Sequence, residues 1–271
     1  MAITTLAGAK AGMGRPGVYV KVQGQSPAGP SANLRAISPW YTAGTPGAGT
    51  ASSAGTGGEA VSGAVAAAFF RQNPTGGAES RLAYMSARNS REGTILLIDR
   101  LWQNSGLSVT STSAQGITAA TLPARDINAS TNGEGVFAAI EWSAAGGAGT
   151  PTVTLTYDDQ AGNPGNTASL LAVTTPVAGQ MEIFPLAAGT TGIRAPTSFI
   201  QDATRTSGTM HLVLFRIVAM LPVPAANMVA KFDAITGPFT KIHDDSVLHP
   251  IFLNGTTAAN TMVVNYQETQ G

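Results

Sequence analysis

The chain has 271 residues, of which 43% are hydrophobic and only 11% are charged, and its 15 basic and 15 acidic residues cancel. An ordinary soluble domain carries about 25% charged residues, so a chain this poor in charge is expected to hide much of its surface against partners. Balanced charge argues against broad electrostatic binding of nucleic acid, and the absence of cysteine excludes disulfides, thiolate nucleophiles and Cys-based zinc sites.

The first 75 residues are predicted to form an extended, irregular arm rich in Gly, Ala, Ser and Thr. The chain does not begin with a charged segment followed by an apolar one, which argues against a signal peptide and favours synthesis in the cytoplasm. Alternation over Val18–Val22 predicts a short strand. Residues 43–58 (AGTPGAGTASSAGTGG) are a low-complexity tract that buries too little apolar surface to offset its backbone entropy. Residues 59–70 (EAVSGAVAAAFF) have a helix-like composition, which allows one short helix in the arm.

Residues 76–271 are predicted to form an antiparallel β-sandwich or jelly-roll-like body, because short β-like runs recur about every ten residues. The turn cluster at residues 158–165 (DDQAGNPG) predicts a hairpin rather than a calcium loop. The most apolar stretch, residues 210–226, contains His, Arg and two Pro, so no membrane span is predicted. The predicted strands are Thr94–Ile98, Leu107–Thr112, Gly135–Trp142, Thr152–Tyr157, Met181–Leu186, Ser198–Gln201, Met210–Met220, Val247–Leu253 and Thr261–Gln267.

Candidate catalytic and metal-binding residues are few, since the chain has only three histidines. No nucleophile-elbow motif accompanies them, and alternation predicts that His211 is a strand residue with a local hydrogen bond. His243, Asp244, Asp245 and His249 carry ligand types that suit zinc or manganese. The histidines are six residues apart without a third spaced ligand, so a polar turn is favoured and metal binding stays open. We therefore predict no cofactor and no enzymatic activity.

Several segments resemble stretches of uncharacterised virion proteins of tailed bacteriophages. They are residues 93–115 (GTILLIDRLWQNSGLSVTSTSAQ), 122–126 (LPARD), 130–135 (STNGEG), 149–157 (GTPTVTLTY) and 207–213 (SGTMHLV). The resemblance implies a structural protein, either a capsid decoration (cement) protein or a minor head protein, with no catalytic residues. It further implies a place on the head surface of the virion after synthesis in the bacterial host. The implied partners are the major capsid protein and other copies of this chain, with a trimer favoured.

The arm is predicted to grip neighbouring subunits, because a flexible segment that orders on binding can wrap a large surface. Its strand Val18–Val22 is suited to adding to the edge of a neighbour's sheet. The candidate interface residues are Val18, Tyr19, Val20, Val22, Trp40, Tyr41, Phe69 and Phe70.

Three other functions compete with this hypothesis. A tail-tip or receptor-binding module, including one that binds carbohydrate, requires exposed aromatic residues, and aromatic residues make up only 6% of the chain. A major capsid protein requires a long amphipathic spine helix, which the sequence does not predict. A virion-associated hydrolase requires catalytic motifs that are missing.

Overall fold

The computed structural model describes residues 17–23, 35–71, 73–74, 76–118, 121–254 and 260–271. For residues 17–19, 22, 23, 35, 254 and 260 it describes the backbone alone. Within these ranges the chain forms strands, two one-turn 3-10 helices (Pro39–Tyr41 and Gly55–Gly57) and no α-helix. The strands are β1 Gly17–Gln23, β2 Arg35–Ile37, β3 Gly44–Thr45, β4 Glu59–Ala60, β5 Ser80–Asn89, β6 Gly93–Gln103, β7 Gln115–Gly116, β8 Val136–Ala144, β9 Thr152–Asp159, β10 Asn166–Leu171, β11 Gln180–Ile183, β12 Ile193–Gln201, β13 Thr209–Val223, β14 Val229–Asp233, β15 Lys241–Ile242, β16 Leu248–Asn254 and β17 Asn260–Gln270.

A closed antiparallel barrel of six strands lies at the centre of the fold. The strands follow the order β13, β8, β11, β2, β16 and β6, and β6 pairs with β13 to close the ring. Side chains from alternate positions fill the interior, since successive residues of a strand point to opposite faces. These residues are Ala36, Leu96, Ile98, Ala139, Met181, Ile183, Val213, Phe215 and Ile251. So small a barrel has no room for a lumen and forms a packed core.

Two further antiparallel sheets pack on the outside of the barrel. The large flanking sheet has the order β14, β5, β17, β1 and β3, with β15 also paired to β5, and the small one has the order β10, β9, β12 and β7. Ile95 and Leu97 of β6 pack against the large sheet, while Leu96 and Ile98 face the barrel interior. This burial on both faces explains the continuous apolar run predicted as a strand at residues 94–98.

The prediction of a mainly antiparallel β chain is confirmed, and nearly all of the predicted strands are present. The strand predicted at Val18–Val22 is β1, and the hairpin predicted at residues 158–165 joins β9 to β10. Asp159 closes this turn, because its Oδ1 accepts hydrogen bonds from the backbone N–H groups of Ala161 and Asn163, both at 2.9 Å.

One predicted strand, Leu107–Thr112, is wrong. Only Leu107 makes an isolated bridge, to Met210. The Oγ of Ser108 accepts from the backbone N–H of Thr110 at 3.3 Å, and Gln115 Oε1 accepts from the N–H of Ser108 at 2.7 Å. Serine side chains offer the backbone local partners that compete with a β-ladder, and here the local bonds prevail.

The helix allowed at residues 59–70 is also absent from the structure. Glu59 and Ala60 form β4 and pair with Gln103 and Trp102, and Gly63 adopts a φ of 74°, which a right-handed helix excludes. Residues 35–71 are built into the β body, because β2 is a barrel strand. Part of the predicted arm thus pairs with the predicted body, while residues 1–16, 24–34, 72 and 75 of the arm lie outside the described residues.

Candidate functional site

The candidate interface residues whose side chains are described differ in exposure. Phe70 is 71% exposed and Val20 is 39% exposed, whereas Trp40 and Phe69 are only 1% and 3% exposed. Tyr41 is half-buried, with its hydroxyl enclosed. Of the predicted set, only Val20 and Phe70 are therefore shown to be available to a partner.

β1 completes a sheet of its own chain. All seven of its residues pair with β17, so that Val18 lies opposite Asn265, Tyr19 opposite Val264 and Val22 opposite Thr261. The side chains of these three β1 residues lie outside the description. On the other edge of β1, Val20 and Lys21 pair with Thr45 and Gly44 of β3.

The outer face of the large flanking sheet carries a row of cross-strand neighbours that we call the valine row. It consists of Thr45, Val20, Val263, Arg88 and Val229, which are register partners across β3, β1, β17, β5 and β14. Directly opposed residues lie on the same face of a sheet. Thr45, Val20, Arg88 and Val229 are exposed and Val263 is half-buried. Sequence reasoning found Val20 but missed Val229, because a single valine before a polar segment gives no signal of its position in a sheet.

The 3-10 turn Pro39–Tyr41 closes one end of the barrel. Ser38 Oγ accepts from the N–H of Trp40, and the indole Nε1 of Trp40 donates to the carbonyl of Thr50 at 3.4 Å. The Arg100 guanidinium lies over the Trp40 ring, 4.2 Å from its centroid. A Cβ on Gly49 would meet the indole Nε1 at 2.5 Å, so the close packing of the low-complexity tract on Trp40 requires glycine there.

A fully buried ion pair lies beneath this turn. Arg100 Nη2 of β6 and Glu141 Oε2 of β8 are 2.7 Å apart, and both side chains have no exposed surface. Arg100 Nε also donates to Gln103 Oε1 at 3.0 Å. Burial alone would raise the pKa of Glu141, but the Arg100 charge outweighs it and holds that pKa below the usual range. Burial, followed by the Glu141 charge, raises the pKa of Tyr41 far above its ordinary value.

All three histidines are buried, at different places. His211 lies on β13 as predicted, with Nδ1 2.9 Å from the carbonyl oxygen of Asn104 and Nε2 2.7 Å from Ser143 Oγ. His243 Nε2 lies 3.0 Å from the carbonyl oxygen of Asp126. The His249 ring lies 4.8 Å from that of Trp40, and among the described residues neither of its nitrogens has a well-aligned partner.

The four candidate metal ligands do not form a metal centre in the described part of the chain. His249 lies in the barrel end, and Asp245 Oδ1 instead accepts from Asn73 Nδ2 at 2.7 Å. Within the described ranges no three His, Asp or Glu side chains are grouped as a metal site requires.

A second buried polar cluster surrounds Asp99. Its carboxylate lies 3.4 Å from both Arg125 and Arg216, and it accepts from Ser246 Oγ at 2.7 Å and from the backbone N–H of Val247 at 2.8 Å. Sequence reasoning missed this cluster, although a charged Asp-Arg pair at the end of the apolar run Thr94–Ile98 was a usable signal.

A surface groove of about 400 Å³ includes Ser80, His243 and Asp244 among its lining residues. These are the residue types of a hydrolytic triad, but the Ser80 hydroxyl has no hydrogen-bond partner in the described structure. His243 directs Nε2 to a backbone carbonyl rather than to the serine. Nucleophile and base are therefore not connected as acyl-transfer chemistry needs.

Comparison with known proteins identifies no family. The sequence matches no protein-family model, and a search of curated proteins finds no relative. Among the described residues, no helix has the length and apolar character needed to cross a membrane.

Proposed function

We propose that this chain is a non-enzymatic structural subunit of a tailed-bacteriophage particle, acting as a capsid decoration or minor head protein. The observation that carries the proposal is the contrast between buried, paired charged groups and exposed large apolar side chains. The charged groups of the Arg100–Glu141 pair and of the Asp99 cluster are buried, and each is paired within its own cluster, so they stabilise the fold. Large apolar side chains remain outside, each more than half exposed: Phe70, Ile127, Leu171, Met220, Met228, Val229 and Ile235.

The proposed contact with the major capsid protein is the valine row. The valine row is a partly apolar strip across five strands that a shell protein can cover, and exposed apolar patches commonly mark such sites. If copies on one shell also contact each other, their binding strengths combine through multivalency, so each single contact with the shell need only be weak. A homotrimer, a head-surface location and a jelly-roll-like body belong to the same proposal.

A carbohydrate-binding tail tip requires aromatic side chains at the surface. Trp40, Trp102 and Trp142 are all fully buried, so none of them lines a sugar-binding groove at the surface.

Binding of the purified chain to undecorated capsids tests the proposed contact. Val229→Asp places a charge at the β14 end of the valine row and is expected to weaken capsid binding at least about tenfold. The matched control is Leu171→Asp, an equally apolar exposed residue on β10 of the small flanking sheet, which should leave binding unchanged. Equal loss in both variants, or no binding by the unmodified chain, would contradict the proposed contact.

A further inference from the structure

One chain of buried contacts holds the N-terminal strand and the 3-10 turn Pro39–Tyr41 to the barrel. Lys21 of β1 is buried, and its Nζ donates to the carbonyl oxygens of Pro39 at 2.9 Å and Gly47 at 3.0 Å. Pro39 begins the turn whose next two residues cover Arg100 and Glu141. β1, the turn and the barrel end are therefore mechanically connected.

His249 lies at the centre of this connection with no exposed surface. The titratable and charged groups around it come from five elements: Arg100 of β6, Glu141 of β8, Lys21 of β1, Tyr41 of the turn, and His211 of β13 beside Tyr41. Two of these groups are cations and one is a carboxylate. That carboxylate is already engaged by Arg100 at 2.7 Å.

Protonation of His249 would add a third positive charge to a site that water does not reach. The Glu141 carboxylate and the backbone of Pro250 favour the imidazolium, but burial and the charges of Arg100 and Lys21 outweigh them. The closed arrangement therefore selects the neutral ring, and burial, then Arg100, lowers the pKa of His249 to about 3.

We propose that His249 and the groups around it, Arg100, Glu141, Lys21 and Tyr41, form an acid-sensitive latch. Protonation of His249 releases the Pro39–Tyr41 turn and β1 while the small flanking sheet stays folded. The latch goes beyond the proposed function and does not depend on it, because it operates in the isolated chain. The direction of the pH dependence follows from linkage. His249 binds a proton more readily in the opened state than in the closed state, so the closed state loses stability as the pH falls from about 6.5 towards 3. Each pH unit in this window favours the opened state by about tenfold.

Hydrogen–deuterium exchange at a series of pH values, corrected for the intrinsic rate, tests the latch. Peptides covering residues 17–23 and 36–50 should lose protection at acid pH, while those of the β9–β10 hairpin keep it. His249→Gln should retain the N-terminal protection at the same pH. The matched control His243→Gln removes another buried histidine and should behave as the unmodified chain.

Three results would overturn the proposal: simultaneous loss of protection in both regions, unchanged behaviour of His249→Gln, or the same rescue by His243→Gln. If His249→Gln does not fold, an NMR titration of the unmodified chain decides, since only three histidine ring signals are present. The His249 signal must titrate together with the loss of N-terminal protection. Titration of His249 while residues 17–23 remain protected would refute the latch.

Discussion

Asp99 shows how single buried residues hold this fold together. Its carboxylate joins β6 to Arg125, to Arg216 of β13 and to the segment that enters β16. Asp99 is the carboxylate closest to both guanidinium groups and contributes most to compensating their charge. Removing one partner of a buried ionic group leaves an uncompensated charge, which costs more than the intact pair contributes.

Asp99→Asn is therefore expected to lower the free energy of unfolding by roughly 3–5 kcal/mol. Urea denaturation followed by circular dichroism measures the change. Asp158→Asn, at a half-buried position of β9, is the matched control and should stay within about 0.5 kcal/mol of the unmodified chain. A change of that small size in Asp99→Asn would show that the cluster is not a structural centre.

The sequence could not predict which charged residues pair in the interior. Arg100 and Glu141 are 41 residues apart, and no local pattern indicates that they meet. Only the barrel register brings them together, on strands that are both neighbours of β13. The strand position of His211 was predictable from the alternation of its own segment, whereas its contacts with Asn104 and Ser143, 107 and 68 residues away, were not.

At the scale of elements, β2 has an effect out of proportion to its three residues. It pairs with β11 on one side and β16 on the other, and so completes the ring. A three-residue strand gives almost no periodic signal, which is why sequence reasoning placed it in the arm. The long strands β6, β8 and β13 were predicted because their apolar runs exceed what a loop would carry.

Ile37→Pro tests the importance of β2. Ile37 lies opposite Gln180 and Phe252, and proline removes its backbone donor within a central strand. We expect a loss of roughly 3 kcal/mol or more, measured by thermal or urea unfolding. Ile37→Val keeps the backbone donor and should cost only about 0.5–1.5 kcal/mol. Similar stability of the two variants would mean that the barrel does not need β2.

At the scale of the whole molecule, the chain buries several of its few charges, among them Asp99, Arg100 and Glu141, and leaves several large apolar side chains exposed. The low charge content was readable from composition and predicted dependence on partners. The valine row could not be predicted from the sequence, because it depends on the register of five strands that come from both ends of the chain. A fold of this kind suits a subunit that functions by lying against a larger surface.

The copy number in purified virions tests the central claim most directly. Quantitative mass spectrometry of intact particles compares this chain with the major capsid protein. A decoration or minor head protein predicts many copies, in a fixed ratio to the shell subunits and present on isolated heads. A handful of copies that separate with the tail, or no copies at all, would contradict the account.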